Sequence, residues 1–227
     1  MPLFLATYKF FNDTRSDGVT YFATMDEGAM EADKGPDIKM HGRWHEIGNC
    51  AGAIIAEAPN AKTLFTWLSK WSETMCDVDV KIICDDNATR QIILKADKAP
   101  WRANYDNIGD EPGEGESLYM ASFKFYPEHK MTAYTTFANL TEEQDKADAG
   151  ACRNLGRYHD LGAGSGIIIA AAKSEKDLYA WAFNWAPLCE VRIVPVLTDK
   201  DAQDITRGKP GFDKKVAALM AKIAAGV

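Results

Sequence analysis

GRWHEIGNCAG, residues 42–52, returns as GRYHDLGAGSG at residues 156–166. Both copies read Gly-Arg-aromatic-His-acid-aliphatic-Gly. Such a pair marks either a site made twice or one strand of a fold that the chain builds twice. Working outward from the motif, the echo continues in both directions. LFLATYKFF at Leu3 matches LYMASFKFY at Leu118, and Thr20 and Phe22 match Thr135 and Phe137 at the same spacing. Ile54-Ile55 matches Ile168-Ile169 after a one-residue slip. KTLFTWLSKW at Lys62 matches KDLYAWAFNW at Lys176, keeping Trp67 with Trp181 and Trp71 with Trp185. Val80 and Asp85 align with Val194 and Asp199 when that spacing is carried on. Each copy is about 90 residues, a small-domain size.

Both copies predict the same elements. Leu3–Phe11 alternates apolar and polar residues as a strand does. Residues 17–34 read as a helix, and in the second copy Met131, Tyr134, Phe137 and Leu140 recur three apart after Pro127. Two strands follow, Lys39–Gly48 and Ala51–Ala58, joined by a tight Gly-Asn turn. Leu64, Trp67, Leu68 and Trp71 fall at i, i+3, i+4 and i+7, an apolar helical stripe, with Asn60 and Ser174 as natural N-caps of its two copies. Last strands are expected at Asp77–Cys84 and Glu190–Leu197. The order βαββαβ is the ferredoxin-like plan. The expected fold class is therefore α+β: two tandem ferredoxin-like units related by a pseudo-two-fold, plus a C-terminal helix. The domain expectation is a first unit over 1–94, a connector over 95–117, a second unit over 118–206 and an amphipathic helix over 207–227.

A strand, a helix, a Gly-Arg-Trp-His strand, a hairpin and a Trp-rich helix in that order resemble the dimeric α/β-barrel superfamily. More closely, they are similar to a bacterial family of unknown function with the same Gly-Arg-Trp-His signature. The resemblance covers both copies. It implies the fold and leaves activity open, since that superfamily includes haem enzymes, cofactor-free monooxygenases and plain binding modules.

Composition narrows the functional classes. Acidic residues outnumber basic ones, 33 to 26, for a net charge of −7, which argues against a nucleic-acid binder with a broad basic face. The longest apolar run, GIIIAAA from Gly166, is too short to span a bilayer, so no membrane insertion is expected. MPLFLATYKF lacks the basic start and small-residue cleavage site of a secretory signal. Five cysteines, an odd number without a CxxC spacing, point to reduced thiols inside a cell.

Alternation on a strand places Arg43 and His45 on one face and Trp44 on the other, and likewise Arg157 and His159 against Tyr158. Two readings of these pairs stay open. In one, Arg binds an anion and His serves as acid, base or haem ligand. In the other, Gly42, Arg43, Trp44 and His45 with Gly156, Arg157, Tyr158 and His159 form a repeated structural motif that keeps the fold in register. His41 and His45 look like a metal pair, but four residues of strand span about 13 Å, and Leu155 stands where a second His41 would be. No metal site is expected. GAGSG at 162–166 precedes a strand and reads as a hairpin turn, and no phosphate-loop or nucleophile-elbow pattern occurs. No cofactor is expected.

Two functional expectations follow. The first is a non-catalytic structural protein that self-assembles into a sheet-like or tubular lattice. Its contacts would come from Trp101 and Tyr105 in the connector, with Ile108 beside them, and from Val216, Leu219, Met220 and Ile223 on the terminal helix. That architecture resembles the shell proteins around the CO2-fixing pyrenoid of diatoms. The resemblance implies a chloroplast stroma or pyrenoid location, carbon fixation as the setting, further copies of itself as partner and Rubisco-associated components nearby. The second is a small-molecule-binding protein or enzyme of the barrel superfamily, cytoplasmic, using Arg43 and His45 with Arg157 and His159.

Overall fold

The structure is a computed structural model and describes residues 1–103 and 111–226. In chain order the elements are β1 (Leu3–Phe10), α1 (Arg15–Thr24), α2 (Glu27–Lys34), β2 (Lys39–Glu46), β3 (Ala51–Glu57), α3 (Ala61–Ser72), β4 (Cys76–Asp85) and α4 (Asp86–Leu94). There follow β5 (Ser117–Phe125), α5 (Lys130–Asn139), α6 (Glu142–Ala149), β6 (Arg153–Asp160), β7 (Ser165–Ala172), α7 (Glu175–Trp185), β8 (Cys189–Pro195), α8 (Asp199–Arg207) and α9 (Phe212–Ala225).

The chain forms two compact units, one of Met1–Lys81 with Val196–Val227, the other of Ile82–Pro195. The first unit is thus assembled from both ends of the chain, a division that the linear repeat does not show. Its strands run in the order β2-β3-β1-β4, and those of the second in the order β6-β7-β5-β8. Each is the ferredoxin-like arrangement, with antiparallel pairing of β1 to β3, β2 to β3, β5 to β7, β6 to β7 and β5 to β8. The expected α+β class with two ferredoxin-like units and a C-terminal helix is what the chain adopts.

Local chemistry explains the helix starts. Asn60 accepts from the Thr63 amide to begin α3, and Ser174 accepts from the Asp177 amide to begin α7. The helix expected across 17–34 is two helices. Met25 is extended, and the Asp26 side chain caps a new start through the Ala29 amide. Leu64, Trp67 and Leu68 of α3 bury against Phe4, Ala6, Ile54 and Ala56 of β1 and β3. Leu64 is fully buried, a contribution of about 1.5–3 kcal/mol. In the second unit Leu178 and Trp181 of α7 pack in the same way against Ala121, Phe123, Ile168 and Ala170.

Two helices were not anticipated from the sequence. Helix α4 packs on α5 and β6, and α8 packs on α1 and β2. They matter because each begins with a carboxylate beside one of the Arg–His pairs.

Candidate functional site

Strands β2 and β6 each carry a one-residue irregularity, between Met40 and Gly42 and between Asn154 and Gly156. Beyond it the alternation holds, and Arg43 and His45, like Arg157 and His159, share a face. What closes each site comes from an element far away in sequence. In the first unit Leu197 exchanges both backbone hydrogen bonds with His45, at 2.9 and 3.0 Å. Thr198 then caps α8 through the Asp201 amide, and Asp199 is delivered against β2. In the second, Cys84 and Asp85 pair with His159 and Tyr158. Asp85 caps α4 through the Ala88 amide, and Asp86 is delivered against β6.

The expected alignment of Asp85 with Asp199 is therefore one residue out. Asp86 does the work of Asp199, while Asp85 matches the cap Thr198. The register that finds this runs from Cys76 against Cys189. A carboxylate directly after a helix cap at the end of the last strand was the available signal.

In the first unit Arg43 holds Asp199 with two bonds, Nε to Oδ1 at 2.8 Å and Nη2 to Oδ2 at 2.7 Å. His45 Nε2 lies 2.8 Å from Asp199 Oδ1, and the Tyr8 hydroxyl lies 2.5 Å from His45 Nδ1. An ionised carboxylate only accepts, so Nε2 carries the proton, Nδ1 is the acceptor and Tyr8 donates to it. Burial disfavours the charged imidazole and lowers the His45 pKa in spite of Asp199. Burial likewise raises the Tyr8 pKa far above its ordinary value. Burial also works against the Asp199 carboxylate, but the bonds from His45 and Arg43 outweigh it and hold its pKa at about 2. The resting cluster is a neutral Tyr8, a neutral His45 and an Arg43–Asp199 ion pair.

The second unit repeats the ion network with two changes: a second carboxylate, Asp145, joins it, and the tyrosine hydroxyl is missing. Arg157 Nη2 lies 2.6 Å from Asp86 Oδ2 and 2.8 Å from Asp145 Oδ1, and His159 Nε2 lies 2.9 Å from Asp86 Oδ1. Asp86 is completely buried, and its pKa is lowered because Arg157 and His159 overcome the burial penalty. Phe123 stands where Tyr8 stands, so nothing among the described residues donates to His159 Nδ1. The supports are conserved between the copies in other chemistry. Gln203 Nε2 donates to the Phe22 and Met25 carbonyls at 3.0 and 2.9 Å, and Arg90 Nη1 donates to the Phe137 and Leu140 carbonyls at 2.7 and 3.1 Å. Phe22 and Phe137 lie against both the Arg and the His of their own site.

Each pair lines a small cavity that is otherwise apolar. The first, about 50 Å³, is walled by Tyr8, Arg43, His45, Phe22, Trp67 and Trp71 among others. The second, about 40 Å³, is walled by Phe123, Phe137, Arg157, His159, Trp181 and Trp185 among others. Gly52 makes room in the first: a Cβ there would strike the Tyr8 hydroxyl and the Trp44 carbonyl. These volumes suit a ligand of a few heavy atoms, since about 150 Å³ is what benzene takes. A haem, which the resemblance to the superfamily allowed, does not fit. Ligand-sized pockets run to about 300–1,000 Å³, and both imidazole Nε2 atoms are already bonded to carboxylates.

The other residues singled out in the sequence fall elsewhere. His41 Nε2 pairs with Glu57 at 2.8 Å. Trp44 and Tyr158 are buried on the opposite strand face from the Arg–His pairs. Trp101 donates to the Leu140 carbonyl at 2.6 Å and lies over Arg90 inside its own unit. Tyr105 and Ile108 lie outside the described residues. On α9, which packs on α1, Leu219 is buried and Val216 is partly buried, while Met220 and Ile223 are exposed. No described helix is long and apolar enough to cross a membrane.

The sequence pattern of a family described as a domain of unknown function, DUF3303, matches residues 2–97 and 117–209. No curated protein matches the chain. Among solved structures of similar fold is a dye-decolorizing peroxidase from Bacteroides thetaiotaomicron, at 11% identity and a TM-score of 0.49, covering 89% of this chain and 94% of that one. Another is DyPB from Rhodococcus jostii RHA1, at 11% identity and a TM-score of 0.48, covering 89% and 94%. A protein from Lactobacillus acidophilus assigned as a monooxygenase has 5% identity and a TM-score of 0.45, covering 88% and 95%. At such identities the likeness is one of fold. The expectation of a self-assembling shell protein, with its pyrenoid and Rubisco setting, is overturned: Trp101 and Leu219, assigned to lattice contacts, are spent inside their own units.

Proposed function

The chain belongs to the DUF3303 family, and on that premise we propose that it is a small-molecule-binding protein with acid–base chemistry in its first unit. The observation that carries this reading is the Tyr8–His45–Asp199 relay at the wall of an otherwise apolar cavity. In such a space a polar group keeps its strength, because no water competes for it. The Tyr8 oxygen can accept a proton from a bound weak acid while its own proton passes to His45 Nδ1. The bond to the departing hydrogen of the ligand breaks, a new Tyr8 O–H forms, and the imidazolium that results lies against Asp199. Arg43 fixes the Asp199 carboxylate with two parallel bonds, so the acceptor of the imidazolium charge is in place before the proton moves. The second unit keeps the ion network and lacks the hydroxyl, so in this reading it has a structural role.

A carbonyl compound of few atoms tests the reading. Acetone, with α-protons that are weakly acidic, is incubated with the protein in D2O and followed by NMR. Exchange faster than buffer in the wild type and reduced to the buffer rate in Tyr8→Phe supports the relay. Exchange equal in the two proteins sinks it.

A further inference from the structure

A third cavity, of about 240 Å³, lies in the first unit and shares no lining residue with the relay cavity. It is lined by Arg15, Ser16, Val19, Thr20, Ile47, Cys50, Thr206, Lys209, Phe212 and Lys215. Three of these are cations, three carry hydroxyls and none is a carboxylate. In a chain of net charge −7 that concentration of positive charge is local. Neither lysine has a carboxylate partner among the described residues. Lys222, nearby on α9, differs, because Asp17 takes it at 2.7 Å. Arg15 donates from Nη2 to Asn12 at 3.0 Å, but its Nε–H is out of solvent and has no acceptor among the described residues. A buried guanidinium donor with nothing to bond costs free energy until something accepts from it. Helices α1 and α9 both begin at this cavity, and neither has a side-chain cap: the Thr14 hydroxyl bonds elsewhere, to the Met75 carbonyl, and Gly211 has no side chain. The positive ends of the two helix dipoles add to the same field.

We propose that this cavity binds the anionic group, carboxylate or phosphate, of a small molecule. Arg15 supplies a guanidinium charge in the cavity wall. Lys209 and Lys215 supply charge at the mouth, and the Ser16, Thr20 and Thr206 hydroxyls supply neutral donors. A cleft lined by one sign of charge concentrates the opposite ion. A narrower space adjoins it, sharing Val19, Ile47, Cys50 and Thr206, and is walled further by Glu46 and by Tyr8 and His45 of the relay. The Glu46 carboxylate sets the limit for a negative charge on that side, so the anionic group stays at the mouth. The site stands on these residues alone and does not need the relay.

The test is calorimetric titration of the full chain with inorganic phosphate and, separately, with acetate. Wild type, Arg15→Gln, the double variant Lys209→Gln with Lys215→Gln, and the surface control Lys146→Gln are compared at low and high salt. Saturable binding of phosphate alone identifies a phosphate site, and of acetate alone a carboxylate site. Either supports the proposal if affinity falls at least about tenfold in the double variant, falls with salt and is unchanged in the control. The two lysines are exposed, so that variant reports even if Arg15→Gln fails to fold. Absence of binding by both anions, or equal binding by the double variant, overturns it.

Discussion

Exchanging the hydroxyl between the two copies probes the donor to the histidine ring nitrogen, present in the first cluster and absent among the described residues of the second. Tyr8→Phe deletes the donor to His45 Nδ1 and changes little else, because the second unit shows that a phenylalanine is accommodated at this place. The ring nitrogen stays buried, so the loss is the cost of an unsatisfied acceptor, about 1–3 kcal/mol. A mid-range value of about 2 kcal/mol lowers Tm by roughly 4–8 °C in a chain of this length. Phe123→Tyr runs the other way. His159 Nδ1 has no partner among the described residues, and a tyrosine hydroxyl placed as in the first unit would supply it. The expected gain is about 1 kcal/mol, or roughly 2–4 °C. Urea unfolding followed by tryptophan fluorescence, with calorimetry for Tm, measures both. A neutral Tyr8→Phe together with a clearly destabilising Phe123→Tyr would refute the reasoning, because it would mean that neither ring nitrogen depends on a hydroxyl.

Two further expectations concern the carboxylates. Asp86→Ala strips Arg157 and His159 of a fully buried counter-charge and should cost about 3–5 kcal/mol, read as a lower urea midpoint; a loss under about 1 kcal/mol would show that Asp145 suffices alone. Asp199 is held at about 2 against an ordinary 3.8, so its stabilisation is present above the ordinary carboxylate range and is lost as pH falls through 2. The shift corresponds to about 2 kcal/mol, and the stability difference between wild type and Asp199→Asn, followed from pH 6 to pH 2 by urea midpoints, should shrink over that window. A difference independent of pH would remove Asp199 from the account.

Much of the fold was legible from local pattern. The duplicated GRWH and GRYH stretches, the strand alternation around them and the caps Asn60 and Ser174 are properties of neighbouring residues, and they gave the ferredoxin-like order. The face shared by Arg43 and His45, and by Arg157 and His159, also follows from strand geometry alone. The helix break at Met25 was hidden because Asp26 is a helix start only if its neighbour leaves the helix. The connector's Trp101 was legible as an anchor, and its bond to Leu140 was not.

What the amino-acid sequence determined by itself was the repeated strand–helix order and half of each candidate site. What only the tertiary structure decided was the other half. Asp199 lies more than 150 residues from Arg43, and Asp86 more than 70 from Arg157. Nothing in their spacing announces the pairing, because it is made when a helix start, fixed by its own cap, docks on a strand from another part of the chain. The tertiary structure also separated two sites that look alike in sequence. Tyr8 and Phe123 differ by one oxygen, and that oxygen acquires meaning only beside a buried imidazole nitrogen with no water to replace it.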